Sequence, residues 1–396
     1  MSERMGVLFL QAQDGFGADS AVHADIIRNL DRDKFVVHIA CTAGTGEGVP
    51  PSLAILRELP DVKLRVTRFA PSLGQRDARA LIAGARAGLD FSADFLALRR
   101  YVSEQRIRVI HSTERPRDAV YNVALARLTG ARSAVHVHVK WSEQYKKLAR
   151  LGVQHADAVF SISRYVTETL VRMGRAPASI YTVLNGIDPA KWDPATDGST
   201  LRQELGVASD ALVLASVSRL FSWKGQRELI RALASLKDEF QNLKLLIVGN
   251  DAVEVEGSSF SDELKTLAGS LGVLDRIIFT GGRSDVPRVM AACDVFTLPS
   301  FEEPFGLVFL EAMAMRRPVV AVNNGGTPEV VEHGTTGLLS PPLDVPALAA
   351  NIATLLRDAT LRAEMGARGR ERVLERFTAQ RMAREVGAAY ERIVQQ

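Results

Sequence analysis

Short runs of consecutive apolar residues, each followed by a stretch of helical periodicity, recur along the whole chain. Such runs suit strands buried on both faces, and their alternation with helical stretches predicts parallel, doubly wound sheets of the α/β class. In the first half the strands fall at Gly6 to Gln11, Phe35 to Cys41, Lys63 to Arg68, Val109 to Ser112, Ser133 to His138, Ala158 to Ile162 and Tyr181 to Leu184. The turn residues Asn185-Gly186-Ile187-Asp188-Pro189 then interrupt the pattern. A polar lead-in from Asp193 to Ser209 opens the second half, whose strands lie near 212, 245, 277, 295, 319 and 338. The pattern predicts one domain over 1–187, a second over 188–376 and a closing amphipathic helix over 377–396, with a hinge at the turn segment.

Length and composition fit this division. A chain of 396 residues exceeds the usual limit of a single core, and its 46% hydrophobic content is enough for two. The net charge of +3 is too small to point to nucleic acid, and no aromatic RNA-binding motif is present. Cys41 and Cys293 fall in different domains and form no CxxC, so they read as buried free thiols and offer neither a disulfide nor a zinc site. The apolar run near Met1 is too short for a signal peptide, and no window reaches the roughly 20 apolar residues of a membrane span. A soluble, cytoplasmic protein is expected. Basic residues collect over 72–106 and 140–150, with Arg76, Arg79, Arg86, Arg99, Arg100, Lys140, Trp141, Lys146, Lys147 and Arg150. Solvated helix faces are the simpler reading; an anionic acceptor or peripheral contact with the inner face of a membrane is the alternative.

The stretch Glu302-Glu303-Pro304-Phe305-Gly306-Leu307-Val308-Phe309-Leu310-Glu311 carries the densest candidate chemistry. It lies between the apolar strands read at Cys293 to Ser300 and Arg317 to Val322, at the carboxyl end of the first, where open parallel sheets bind ligands. Pro304 is expected to pre-set the first helical turn, and Gly306 to leave backbone N–H groups open to an anion. With Leu307 to Met315 helical, Glu303 and Glu311 share a face and lie roughly 10–12 Å apart. That span suits a sugar nucleotide: a carboxylate for sugar hydroxyls, amides for diphosphate and a carboxylate for ribose.

About eighty residues upstream, the apolar run Leu212 to Val217 leads into Ser218-Arg219-Leu220-Phe221-Ser222-Trp223-Lys224-Gly225. Arg219 and Lys224 thus stand at a strand end and a helix start. A fixed guanidinium and a mobile ammonium in one crevice can stabilise a departing diphosphate in place of a metal ion.

With these residues in place, nearly the whole chain resembles the retaining glycosyltransferases of family 4. The resemblance rests on ordered elements: Val135 to His138, Ser161-Ile162-Ser163, Asn185-Gly186-Ile187-Asp188, Ser218-Arg219 with Lys224-Gly225, and Leu245 to Gly249. It continues through Ile277 to Gly281, Glu303 to Glu311, Gly325-Gly326-Thr327-Pro328-Glu329 and Thr336-Gly337-Leu338-Leu339. It implies the GT-B fold, two Rossmann-like doubly wound domains facing each other across a cleft. It also implies transfer of a hexosyl unit from a nucleoside diphosphate sugar to an alcohol acceptor (a glycan, a lipid-linked acceptor or a small molecule), with no metal and no further cofactor. By resemblance, Glu303 binds sugar hydroxyls, Phe305, Gly306 and Leu307 offer amides, and Glu311 holds the ribose. Arg219 and Lys224 neutralise the diphosphate, and Gly282 and Arg283 line the base. His138 contacts the donor sugar, and closure about the hinge would bring it toward Glu303. The final helix crosses back to the first domain.

His136 is expected to point to the opposite face from His138, as a core residue. His111 is expected to be acceptor-side or structural with equal weight. Two departures limit the carry-over. The first loop reads Asp14-Gly15-Phe16-Gly17-Ala18-Asp19-Ser20, where Gly17 still lets backbone approach the transferred group but Phe16 alters the wall. Ser218 replaces a glycine that often precedes the Arg, at a cost in φ freedom. Rival readings are a nucleotide-sugar epimerase or polymerase, a nicotinamide oxidoreductase, which would need a full dinucleotide fingerprint, and a non-enzymatic sugar-nucleotide sensor.

Overall fold

The computed structural model describes residues 3–44, 48–69, 93–251 and 259–396. The chain divides into two compact units, Met1–Asn185 together with Ala379–Gln396, and Gly186–Thr378. The division falls two residues before the break expected after Ile187, and the last helix groups with the first unit.

The first unit contains β1 (Met5–Gln11), β2 (Phe35–Thr42), β3 (Val62–Thr67), β4 (Ile107–Thr113), β5 (Arg132–Val137), β6 (Ala158–Ser161) and β7 (Ile180–Thr182). They form one sheet in the order β3-β2-β1-β4-β5-β6-β7, every neighbouring pair parallel. Its helices are α1 (Ala18–Asn29), α2 (Pro51–Arg57), helical residues 93–104 as α3, α4 (Pro116–Thr129), α5 (Lys147–His155) and α6 (Arg164–Arg172). The central strands are almost wholly buried because crossover helices cover a parallel sheet, while the edge strands β3 and β7 are only partly covered.

The second unit contains β8 (Val213–Val217), β9 (Lys244–Val248), β10 (Ile277–Gly281), β11 (Val295–Leu298), β12 (Val319–Val322) and β13 (Gly337–Ser340). Their order is β10-β9-β8-β11-β12-β13, again all parallel. Helices α7 (Ser199–Glu204), α8 (Gln226–Leu236), α9 (Phe260–Ser270), α10 (Val286–Ala292), α11 (Leu307–Ala314), α12 (Thr327–Val330), α13 (Val345–Arg357) and α14 (Ala359–Arg376) flank it. Leu229, Leu233, Leu245, Ile247, Leu264 and Ile352 belong to its core cluster. In each sheet the strand order reverses once, between β1 and β4 and between β8 and β11, and these switch points are where doubly wound sheets open a crevice beyond their strand ends. The ends of the second unit lie together, Ile187 N–H donating to the Phe377 carbonyl at 2.9 Å.

The last helix, α15 (Ala379–Gln395), packs on α1 and β4 through Met382, Val386, Tyr390 and Ile393, all buried. Lys34 Nζ reaches Glu391 at 2.9 Å at its edge. Cys41 and Cys293 are both buried and free. Among the described residues no helix is long and apolar enough to cross a membrane.

Burial of those four side chains on α15 amounts to roughly 6–10 kcal/mol, comparable to the whole stability of a domain. A chain ending at Thr378 is therefore expected to lose the unfolding transition of the first unit while keeping that of the second. Two undiminished transitions in calorimetry would contradict this packing.

Candidate active site

The second unit gathers most of the sequence-predicted site residues at its switch point. After β8 the chain passes Ser218 and Arg219, makes a 3₁₀ turn at Ser222–Lys224 and enters α8 through Gly225 at φ 76°. A side chain at Gly225 would stand 2.2 Å from the Pro299 carbonyl oxygen, so the β8–α8 loop lies flush on the end of β11. Gly249 at φ 147° seats the neighbouring loop as closely, since a Cβ there would fall 1.8 Å from the Ser218 carbonyl oxygen. Ser218 itself is not among the residues with positive φ, and its Oγ accepts from Gln226 Nε2 at 3.0 Å. Its replacement of glycine carries no backbone strain.

On the facing loop, Glu302 takes a left-handed conformation, φ 55°, and turns Glu303 inward. Lys224 Nζ donates to Glu303 Oε2 at 2.6 Å, both side chains largely enclosed, and lies 4.0 Å from the centroid of the Trp223 ring. The sequence assigns Lys224 to phosphate and Glu303 to sugar, and the structure joins them. An ammonium has three donors, so Lys224 can keep Glu303 and still meet an anion. Arg219 is exposed, and among the described residues no carboxylate lies within ion-pair distance of its guanidinium. Gly325 and Gly326 pack against the same loop. Gly326 N–H donates to the Glu303 carbonyl at 2.8 Å, and a Cβ there would lie 2.3 Å from the Pro304 carbonyl oxygen.

Pro304 does not begin the helix. α11 starts at Leu307, with Gly306 as its N-cap at φ 91°, so a left-handed residue separates the proline from the first turn. Glu303 accordingly sits in a loop and not on a helical face shared with Glu311. The first-turn amides at Leu307 and Val308 have no intrahelical acceptor and remain available to an anion. Phe305 is buried and packs edge-on against Phe377, with centroids 6.0 Å apart, so its backbone is its only offering. Glu311 is half-buried in α11, and burial pushes its carboxyl up to about 7.

At the end of β10, Gly282 N–H donates to Asn250 Oδ1 at 2.7 Å. The guanidinium of Arg283 is taken up by Asp285, at 2.7 and 2.8 Å, and by Glu204 at 2.9 Å. That loop therefore has backbone and the arginine stem to present.

In the first unit, Gly17 caps the start of α1, and Asp19 in its first turn accepts from Arg115 Nε at 2.8 Å. His138 follows β5, and its backbone N–H donates to Glu114 Oε2 at 3.3 Å. Burial pushes His138 down to about 4 and Glu114 up to about 7, so the imidazole is neutral at neutral pH. His136 does not face away. Side chains alternate along a strand with a period of two, so residues 136 and 138 share a face, and their rings lie 4.2 Å apart. His111 is fully buried, with Nδ1 2.8 Å from the Tyr390 hydroxyl, which makes it structural. His23 on α1, which no sequence signal marked, completes this group at 5.4 Å from the His138 ring.

Of the basic stretch, Arg76, Arg79 and Arg86 lie outside the described residues. Arg99, Arg100, Lys146, Lys147 and Arg150 are exposed, and Arg100 pairs with Glu104 at 2.6 Å. Trp141 is buried and stacks on Tyr145 at 4.8 Å, so it is core and not part of a basic face.

Two parallel sheets, with a cation–carboxylate pair and open helix amides at the switch point of the second, describe a doubly wound α/β protein. Residues 17–186 match the model of the glycosyl transferase 4-like domain, and residues 197–372 that of glycosyl transferases group 1. The chain is 34% identical to the GDP-mannose-dependent alpha-(1-6)-phosphatidylinositol monomannoside mannosyltransferase of Mycolicibacterium smegmatis, over 64% of this chain and 68% of that protein. It is 32% identical to the N-acetyl-alpha-D-glucosaminyl L-malate synthase of Bacillus anthracis, over 61% of each. It is 41% identical to the D-inositol 3-phosphate glycosyltransferase of Corynebacterium efficiens, over 48% of this chain and 46% of that one. The chain thus spans under two thirds of the length of the latter two. Among solved structures, Anabaena HepE in complex with UDP and glucose superimposes with a TM-score of 0.80 at 26% identity, covering 98% of this chain and 100% of that one. Sucrose-phosphate synthase from Thermosynechococcus elongatus shares the fold, with a TM-score of 0.76 at 22% identity over 98% and 99% of the two chains. The chain belongs to the group 1, family 4-like glycosyltransferases and has their GT-B type of architecture.

Two outcomes test this geometry. Gly326→Ala must displace the Glu303–Pro304 backbone and is expected to cost about 1–3 kcal/mol in urea unfolding, whereas Gly269→Ala, in open space on α9, is expected to cost nothing or to stabilise by up to about 1 kcal/mol. Glu311 supplies a pH signature. Its folded-state pKa is raised from 4.5 to about 7, so the native state holds this proton longer and stability falls as pH climbs through that window. Glu311→Gln is expected to stabilise the fold at about pH 8, by roughly 1–3 kcal/mol in urea unfolding, and to leave it unchanged near pH 4. Equal differences at the two pH values would contradict the buried carboxyl.

Proposed function

We propose that the chain transfers a hexosyl unit from a nucleoside diphosphate sugar to an acceptor hydroxyl, with retention at the anomeric carbon and without a divalent cation at the diphosphate. The observation that carries this reading is the Lys224–Glu303 pair, 2.6 Å across, beside the first turn of α11 at the sheet's switch point. It agrees with the GDP-mannose dependence of the Mycolicibacterium relative and with the UDP and glucose in complex with Anabaena HepE.

In this reading Glu303 accepts from sugar hydroxyls, and the amides of Gly306 and Leu307 with the cations of Arg219 and Lys224 hold the diphosphate. Glu311 accepts from ribose, Gly282 and Arg283 line the base, and in the first unit Gly17 and His138 serve the transferred sugar. The bond from the anomeric carbon to the diphosphate oxygen breaks, and its electron pair stays on that oxygen. The acceptor oxygen bonds the same face of the carbon, and its proton passes to the departing diphosphate. Fixed positive charge is most useful where negative charge develops, on the leaving oxygen.

Replacing Arg219 and Lys224 together by Ala is expected to lower kcat/KM by roughly 10³-fold or more, while added Mg²⁺ or Mn²⁺ leaves the native rate unchanged. NMR of the first-formed glycoside is expected to show the donor's anomeric configuration. An inverted product, or full turnover by the double variant, would overturn the proposal.

A further inference from the structure

The first unit contains a second constellation that the transfer reading does not use. His23 on α1, His111 on β4 and His136 on β5 converge so that one ring nitrogen from each lies within 4.8 Å of the others. All three side chains are buried, with 3% exposure or less. Among the described residues, His23 Nε2, His111 Nε2 and both nitrogens of His136 have no hydrogen-bond partner. Each such orphan costs free energy in a core, and phenylalanine or leucine would fill the same space without that cost. Three convergent imidazoles with free lone pairs are a ligand set of first-row divalent ions.

We propose that His23, His111 and His136 form a buried site for one divalent ion of the zinc type. The surroundings match such a site. Tyr390 can accept from His111 Nδ1–H at 2.8 Å, which leaves Nε2 with its lone pair outward, the usual outer-shell arrangement of a metal-bound histidine. Phe9 lies 5.0 Å from the His111 ring and Phe160 5.7 Å from that of His136, giving an apolar wall. Asp19, in the first turn of α1, acts on His23 electrostatically but is itself paired with Arg115 at 2.8 Å, so the ion's charge would rest chiefly on the three neutral imidazoles. Bond lengths near 2.0–2.1 Å put tetrahedral nitrogens about 3.4 Å apart, so the rings close by up to about 1.4 Å on binding. The ion would tie α1 to β4 and β5 and, through Tyr390, to α15. It is a structural cation, separate from the diphosphate site of the second unit.

The test uses the full-length chain, stripped with a chelator and titrated with Co²⁺ and then Zn²⁺. Native protein and His155→Gln, an exposed control on α5, are expected to retain one ion per chain after gel filtration. They should also show the visible bands of low-coordinate Co²⁺ and gain several degrees in melting temperature with Zn²⁺. His136→Gln and His23→Gln are expected to lose retention and bands together, with circular dichroism reporting their folding without metal. The Co²⁺ spectrum of the native chain keeps the proposal open to refutation if either variant fails to fold. Native protein holding well under one ion per chain, or folded variants binding like native, would overturn it. Because catalysis is not the readout, failure here leaves the transfer reading intact, and loss of transfer leaves this one intact.

Discussion

The contact on which the second unit's site depends is the enclosed ion pair between Lys224 and Glu303. Two charges taken this far from water are tolerable only as a pair, and leaving one behind costs about 3–5 kcal/mol. The β8–α8 loop and the β11–α11 loop therefore cannot move independently. Glycine makes the approach possible: Gly225 lies on Pro299, and Gly325 and Gly326 lie on Glu303 and Pro304, at distances that exclude any side chain. Backbone packing fixes two loops, and the loops fix two charges.

The two units use one topology for different electrostatics. In the second, the strand-end loops near the switch point carry permanent charge. In the first, the corresponding region sets buried histidines beside the Asp19–Arg115 ion pair: burial drives His138 and His23 down to about 4 and 3, so both are neutral at neutral pH, and pushes Glu114 up to about 7. Asp118 there accepts from Ala12 N–H at 3.0 Å and Thr113 Oγ1 at 2.8 Å, which pins the loop after β1 to α4.

The strands were legible because parallel sheets demand unbroken apolar runs, and runs such as Val319–Val322 admit few other readings. The composition of the Glu303 loop was legible too, since a Glu-Pro-Phe-Gly sequence between two such runs has few structural uses. Its conformation was not. Pro304 reads as a helix start until the left-handed turn at Gly306 is seen, and the loop before that turn packs on Gly325 and Gly326, later in the chain. The Lys224–Glu303 pairing is likewise a tertiary fact, as is the pairing of Glu204 with Arg283. The shared face of His136 and His138 follows from strand periodicity. The arrival of His23 and His111 beside them depends on how α1 and β4 meet β5, and no spacing announces it.

Lys224 and Glu303 are proposed to act as one unit in holding a sugar nucleotide. A double-mutant cycle by calorimetry decides it, comparing the affinity for the nucleotide sugar of the native chain, Lys224→Met, Glu303→Gln and the combined variant. Coupling of about 1–3 kcal/mol is expected, the second substitution costing little once the first is made. Strictly additive losses, or affinities unaltered by either change, would contradict it.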